Sequence, residues 1–237
     1  MRKMRFWKAV MGFVAASWLF APAAQALSVD LISNGDFETG DLSGWTTAGN
    51  ARGETFAVNE GTRNPHGPLR ATEPLSGSYD ALYVPRFSGA ASLTQFFTVP
   101  DQVFSATFSF TERVGLWGFF DVSNHQFRVS VIDKIGDVIS QVYSTASAGL
   151  QLGSGTPSDL SFDLTALMQA NQGRTLGVQF ELEAQHWSMN ASLDNVSMMV
   201  ETPAAVPLPP TIWMMLAGLG ALGAMGWKRR RSGGQSA

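Results

Sequence analysis

Between Leu27 and Glu201 the chain repeatedly alternates apolar and polar residues with a period of two, the spacing that sends one set of side chains to each face of a β-strand. Over 103–110 this puts Phe104, Ala106, Phe108 and Phe110 on one face. Phe127, Val129 and Val131 share a face within 126–133, as do Leu176, Val178, Phe180 and Leu182 within 175–182. Further strands are predicted over 27–32, 55–58, 79–84, 92–99, 137–143, 160–164 and 193–200, and a short helix over 165–172. The stretch 112–124 reads as too glycine-rich and irregular for a good strand. One-sided alternation favours antiparallel sheets that bury one face, so the predicted class is all-β, an antiparallel sandwich or jelly roll.

Composition refines this picture. The 237 residues are 45% hydrophobic and 15% charged, with no Cys, which suits one globular domain with attached segments and no disulfide framework. Eight of the sixteen basic residues sit at the two ends, while all nineteen carboxylates lie between Asp30 and Glu201. The stretch 27–205 therefore carries a formal charge of −11 behind a whole-chain value of −3. Such a body repels phosphate backbones, which excludes nucleic acid as a partner.

Residues 1–26 form a signal peptide in outline: Arg2, Lys3, Arg5 and Lys8, an apolar run from Ala9 to Phe20, then the small-residue cleavage pattern Ala24-Gln25-Ala26. Twelve apolar residues at about 1.5 Å each fall short of a bilayer core of roughly 30 Å. Signal peptidase is expected to release a chain beginning at Leu27. At the other end, a Pro-rich linker over 202–210 leads into seventeen uncharged, mostly apolar residues, 211–227, and then a basic tail, 228–237. A helix of that length spans about 25 Å, and Lys228 to Arg231 would hold its end on the cytoplasmic side. Within this segment 218–223 matches G-x-G-x-x-G, but no strand precedes it and no acidic ribose ligand follows, so the match carries no nucleotide chemistry.

Val206-Pro207-Leu208-Pro209, a Gly/Ala/Leu-rich helix and the cluster Arg229, Arg230, Arg231 together resemble the PEP-CTERM sorting signal of exported bacterial proteins. The resemblance implies recognition by an exosortase, a membrane-embedded cysteine protease or transpeptidase that removes the anchor near the Pro motif. It also implies a membrane-anchored precursor and a mature form at the cell surface or in an extracellular polysaccharide layer. Leu208 stands where that family carries Glu, which bears on processing more than on anchoring.

Two further motifs bracket the body: Asn34-Gly35-Asp36-Phe37-Glu38 with Gly44-Trp45, and Leu193-Asp194-Asn195-Val196. They resemble the two ends of galactose-binding-like jelly rolls, a group that includes several families of carbohydrate-binding modules. The resemblance implies that first and last strands lie side by side and that Asp36, Glu38 and Asp194 could hold a structural calcium ion, a hard cation suited to oxygen ligands. The competing reading is that Asp36 and Asp194 hydrogen-bond the backbone at a turn and a strand end.

For sugar binding, the aromatic candidates are Trp117, Phe119 and Phe120 in the irregular stretch and His186-Trp187 after the penultimate strand. Trp45 is instead expected to pack beneath the first turn. Catalysis finds less support. Glu181 and Glu183 share one strand face, as paired hydrolase carboxylates can, but the apolar set occupies the opposite face, so they are expected to face water. His66, His125 and His186 form no metal spacing, and there is neither a Cys nucleophile nor a G-x-S-x-G elbow. The expected function is non-catalytic binding of carbohydrate or exopolysaccharide. Its alternatives are a matrix or adhesion protein without a small ligand, and a glycoside hydrolase.

Overall fold

The computed structural model describes residues 26–116, 125–148, 155–184 and 189–203. These belong to one compact unit, Ala26–Ala204; the other unit, Met1–Gln25 with Ala205–Ala237, lies outside them, and with it the predicted signal peptide, Pro linker and span.

The body is two antiparallel sheets. The first runs β3 (Ala57–Asn59), β4 (Asp80–Tyr83), β11 (Met189–Pro203), β6 (Ser105–Leu116), β9 (Ser158–Asp163), with β1 (Ala26–Asp30) paired to the C-terminal part of β11. The second runs β2 (Thr46–Ala48), β5 (Gly89–Thr98), β10 (Thr175–Ala184), β7 (Gln126–Asp133), β8 (Val138–Ser144). Two short helices, α1 (Thr145–Ala148) and α2 (Thr165–Gln169), complete the described elements.

The inward faces follow the period-two pattern. Ala106, Phe108 and Phe110 of β6 meet Phe127 and Val129 of β7 and Phe180 of β10 in one buried cluster. Phe180 lies edge-on to Phe110, with ring centroids 5.3 Å apart, and nearly parallel to Phe127 at 6.3 Å. Each such fully buried side chain contributes about 1.5–3 kcal/mol through removal from water, and the large core accounts for a fold without disulfides.

Several boundaries differ from the sequence reading. β6 runs on to Leu116, through residues expected to be irregular, because Val114 and Leu116 continue the buried alternation and β11 pairs with them throughout. Phe104 does not join the core face: it precedes the strand at its N-terminal end and is 56% exposed. The strand expected at 55–58 is displaced to β3, and β2 and α1 have too little periodicity to be seen in the sequence.

Candidate functional site

The first motif builds a locked turn. Asn34, at φ 49°, donates its amide to the carbonyls of Asp41 and Ser43 at 3.0 and 3.1 Å, and its own carbonyl accepts the Trp45 indole N–H at 2.9 Å. Trp45 is buried under this turn against Phe37 and Phe180, as expected. The turn then meets the last strand: β1 pairs antiparallel with β11, and the Val196 N–H donates to the Gly35 carbonyl at 2.9 Å. First and last strands are neighbours.

The three acidic residues of the bracketing motifs all accept hydrogen bonds from nearby N–H and O–H groups. Asp194 is fully buried, and its Oδ2 accepts the Ser76 N–H at 3.0 Å and the Ser76 hydroxyl at 2.7 Å, while Oδ1 accepts the Asn195 N–H at 2.7 Å. Glu38 Oε1 accepts the N–H groups of Ser78 and Tyr79 at 2.7 and 3.1 Å, and Asp36 Oδ1 accepts the Glu38 N–H at 3.3 Å. Glu38 and Asp194 thus grip the same segment, 76–79, and burial, with a smaller contribution from the Glu38 charge, raises the Asp194 carboxyl above its ordinary range. Among the described residues no three carboxylate or imidazole groups gather as a metal set. These side chains fit hydrogen-bond acceptors for a loop better than a resident calcium ion, which would have to displace N–H and O–H donors already in place.

A second feature lies where β4, β6 and β10 end and β5 and β11 begin. Leu116 pairs with Met189, Tyr83 with Ala191 and Gly89 with Ala184, so these strand ends share one end of the sandwich. Phe119, Phe120 and His186, like Trp117 and Trp187, fall outside the described residues, but Trp117 directly follows Leu116 in the chain and Trp187 stands two residues before Met189.

The described part of this end is the β4–β5 turn, where Phe87 is 40% exposed and the Arg52 guanidinium lies over its ring, 5.1 Å from the centroid. Glu54 fixes the turn from beneath. Its Oε1 accepts Arg86 Nε at 2.7 Å, and its Oε2 accepts the N–H groups of Arg86 and Phe87 at 3.1 and 3.2 Å and the Asn50 amide at 3.0 Å. Burial alone would raise the Glu54 carboxyl; these donors outweigh it and hold the group below the usual range. Phe87 and Arg52 were missed in the sequence because neither lies in a periodic segment. An aromatic ring exposed on a turn between two buried strands is the signal that could have found them.

The carboxylates considered for hydrolysis serve otherwise. Glu181 and Glu183 both engage Arg128, Glu183 at 3.1 Å and Glu181 through Arg128 Nε at 3.0 Å, on the outward face of the second sheet. Burial raises Glu112 to about 7 and Asp80 to about 6. Glu112 nevertheless faces the core, and Asp80 is fully buried, accepting the Asn59 amide at 2.8 Å and the Leu75 N–H at 3.1 Å. Neither lines the clefts of 650 and 760 Å³ that border the β3–β4 loop. His66 packs edge-on to Tyr83, 5.5 Å between centroids, in a structural role.

Residues 205–231 match the PEP-CTERM protein-sorting motif, a span that includes Val206 to Pro209 and Arg229 to Arg231. That motif implies an exported, membrane-anchored precursor processed by an exosortase-type system. No helix among the described residues is long and apolar enough to cross a membrane; the predicted span lies outside them. No curated protein matches the sequence. Solved structures similar to the body include the carbohydrate-binding module TmCBM61 in complex with β-1,4-galactotriose, at 13% identity over 74% of this chain and 99% of that one, with a TM-score of 0.45. The K3 cleaved adhesin domain of Lys-gingipain from Porphyromonas gingivalis W83 is similar at 13% identity over 73% and 99%, with a TM-score of 0.48. A Stig cyclase from Fischerella sp. TAU is similar at 16% identity over 76% and 100%, with a TM-score of 0.44. The sheet order given above, rather than these distant likenesses, defines the sandwich.

Proposed function

We propose that this chain is an exported, exosortase-sorted protein whose sandwich, a jelly roll of galactose-binding-like type, binds carbohydrate without catalysis at the cell surface or in an extracellular polysaccharide matrix. The sorting motif supports the location. The binding reading is supported by the pairing of Leu116 with Met189 at the end that also exposes Phe87, Trp117 and Phe119 following the first in sequence and Trp187 preceding the second. Aromatic faces beside polar groups suit the apolar faces of sugar rings.

Glycan-array binding and polysaccharide pull-down with the exported protein test this, alongside Trp117→Ala, Trp187→Ala and Phe87→Ala. Loss of retention at an unchanged melting temperature supports the reading. Retained binding, with destabilisation of about 3–5 kcal/mol at both tryptophans, assigns them to the core and overturns it.

One observation favours an adhesive role in its place. Among the described residues β8 is an edge strand, and its hairpin exposes Ile135, Val138 and Ile139, apolar residues of the kind that invite strand addition. Self-association removed by Val138→Lys, with no glycan retained, would favour that role.

A further inference from the structure

In a domain whose formal charge is −11, the larger of the two clefts beside the β3–β4 loop has two arginines in its lining. It measures 760 Å³, within the range of small-ligand sites, and lies between residues 64–73 of that loop, the outward face of β6 and β11, and Gly155 with Pro157. Strand periodicity explains its floor. Arg113 stands between inward-facing Glu112 and Val114, and Asn190 between buried Met189 and Ala191, so both side chains emerge on the outward face.

Arg113 is a fixed part of that floor. Its Nη2 donates to the Glu73 carbonyl at 2.6 Å and to Ser192 Oγ at 3.2 Å, and Asp80 lies beneath it at 3.8 Å and offsets its charge. Arg70 differs. It is exposed, lines the same cleft, and among the described residues donates to no acceptor, whereas Arg63, Arg86, Arg113 and Arg128 all pair with carboxylates. The Thr72 hydroxyl and the Asn190 amide in the lining are likewise uncommitted among the described residues. Val84, Leu69 and Pro157 supply apolar surface beside them.

We propose that this cleft binds an acidic saccharide, with the carboxylate of a uronic acid residue on Arg70, hydroxyls on Thr72 and Asn190, and the ring's C–H face on the apolar wall. A planar guanidinium donates two parallel hydrogen bonds to a carboxylate, stronger than neutral pairs. Glu73, the carboxylate of the lining, takes sugar hydroxyls as donors. The inference rests on the carbohydrate reading above and assigns it a chemical class and a second surface.

Titration calorimetry of the exported protein with tri-galacturonate and with neutral tri-galactose tests it. The uronate trimer is expected to bind more tightly, to weaken as salt rises, and to lose at least tenfold in affinity in Arg70→Gln, with the melting temperature unchanged. Equal uronate affinity in Arg70→Gln and the parent, or tighter binding of the neutral trimer, overturns the cleft. No uronate binding by the parent protein, with other glycans still retained, also overturns the cleft and spares the general reading. Failure of every glycan removes both.

Discussion

The Val196 N–H donates to the Gly35 carbonyl at 2.9 Å, and this single bond ties the first turn of the sandwich to its last strand. The contact is so close that a Cβ on Gly35 would run into the Val196 carbonyl. Gly35→Ala must therefore push the turn away from β11, loosening Trp45 and Phe37 behind it. The expected cost is about 1–3 kcal/mol, as for other overpacked sites, read from denaturant melts. Gly53→Ala is the control for backbone effects, since nothing lies within 4 Å of its added Cβ, although its positive φ carries a cost of its own.

Much of this was legible in the sequence. Strict alternation marked β7 and β10, and the two motifs marked the neighbouring ends of the body, but the bulge in β11 beyond Asp194, where Asn195 takes φ 52°, lies inside a segment that reads as regular strand. Other features were not legible for physical reasons. The cleft joins residues from 64–73, β6 and β11, which only folding brings together. Glu112 was overlooked although the same alternation that placed Phe108 and Phe110 inward places it inward too. Motif reading weighs acidic residues as surface or catalytic groups, and only the register of the strand shows one as part of the core.

The hydrogen bonds to Asp194 and Glu38 predict the response to calcium. With Ser76, Ser78, Tyr79 and Asn195 already donating to both carboxylates, the loop is held by protein donors. Melting curves with calcium and with chelator are expected to coincide, whereas a calcium-loaded site would add about 2.7 kcal/mol at a hundredfold excess over its dissociation constant. Asp194→Ala should destabilise by about 1–3 kcal/mol in either medium, because the Ser76 N–H loses its acceptor beneath the loop. A chelator-sensitive melt that Asp194→Ala abolishes would restore the ion.

The sorting motif predicts the mass of the mature protein. Residues 205–231 carry both the Pro motif and the arginine cluster, and the N-terminal Ala24-Gln25-Ala26 pattern is a separate processing signal. Intact-mass measurement of the exported form should match a chain beginning at Leu27 and lacking Trp213 and Trp227. Joint replacement of Arg229, Arg230 and Arg231 by Ala should raise the uncut precursor, since the basic cluster sets orientation. A secreted chain that retains Trp227 would leave an anchor that is never cut.

Glu112 predicts how stability varies with pH. Its carboxyl lies on the core face of β6, 6% exposed, with Oε1 3.4 Å from the Tyr143 hydroxyl and Oε2 without a hydrogen-bond partner. Burial raises the group from 4.5 to about 7, so in the folded protein it stays protonated where the unfolded chain has already lost the proton. The folded state thus binds more protons than the unfolded state between those values. Stability is fully held below pH 4.5 and declines as pH rises through about 7, by on the order of 3 kcal/mol for this group. Asp80, raised from 3.8 to about 6, adds a decline of the same sign in a lower window. Glu112→Gln keeps the shape and cannot ionise, so its stability should exceed that of the parent at pH 8 and flatten between pH 6 and 8, leaving only the Asp80 component below. Equilibrium denaturation at half-unit steps from pH 4 to 8 measures both curves. If they run parallel, Glu112 is charged and solvated in the folded state, and the aromatic core around Phe110 and Tyr143 admits water.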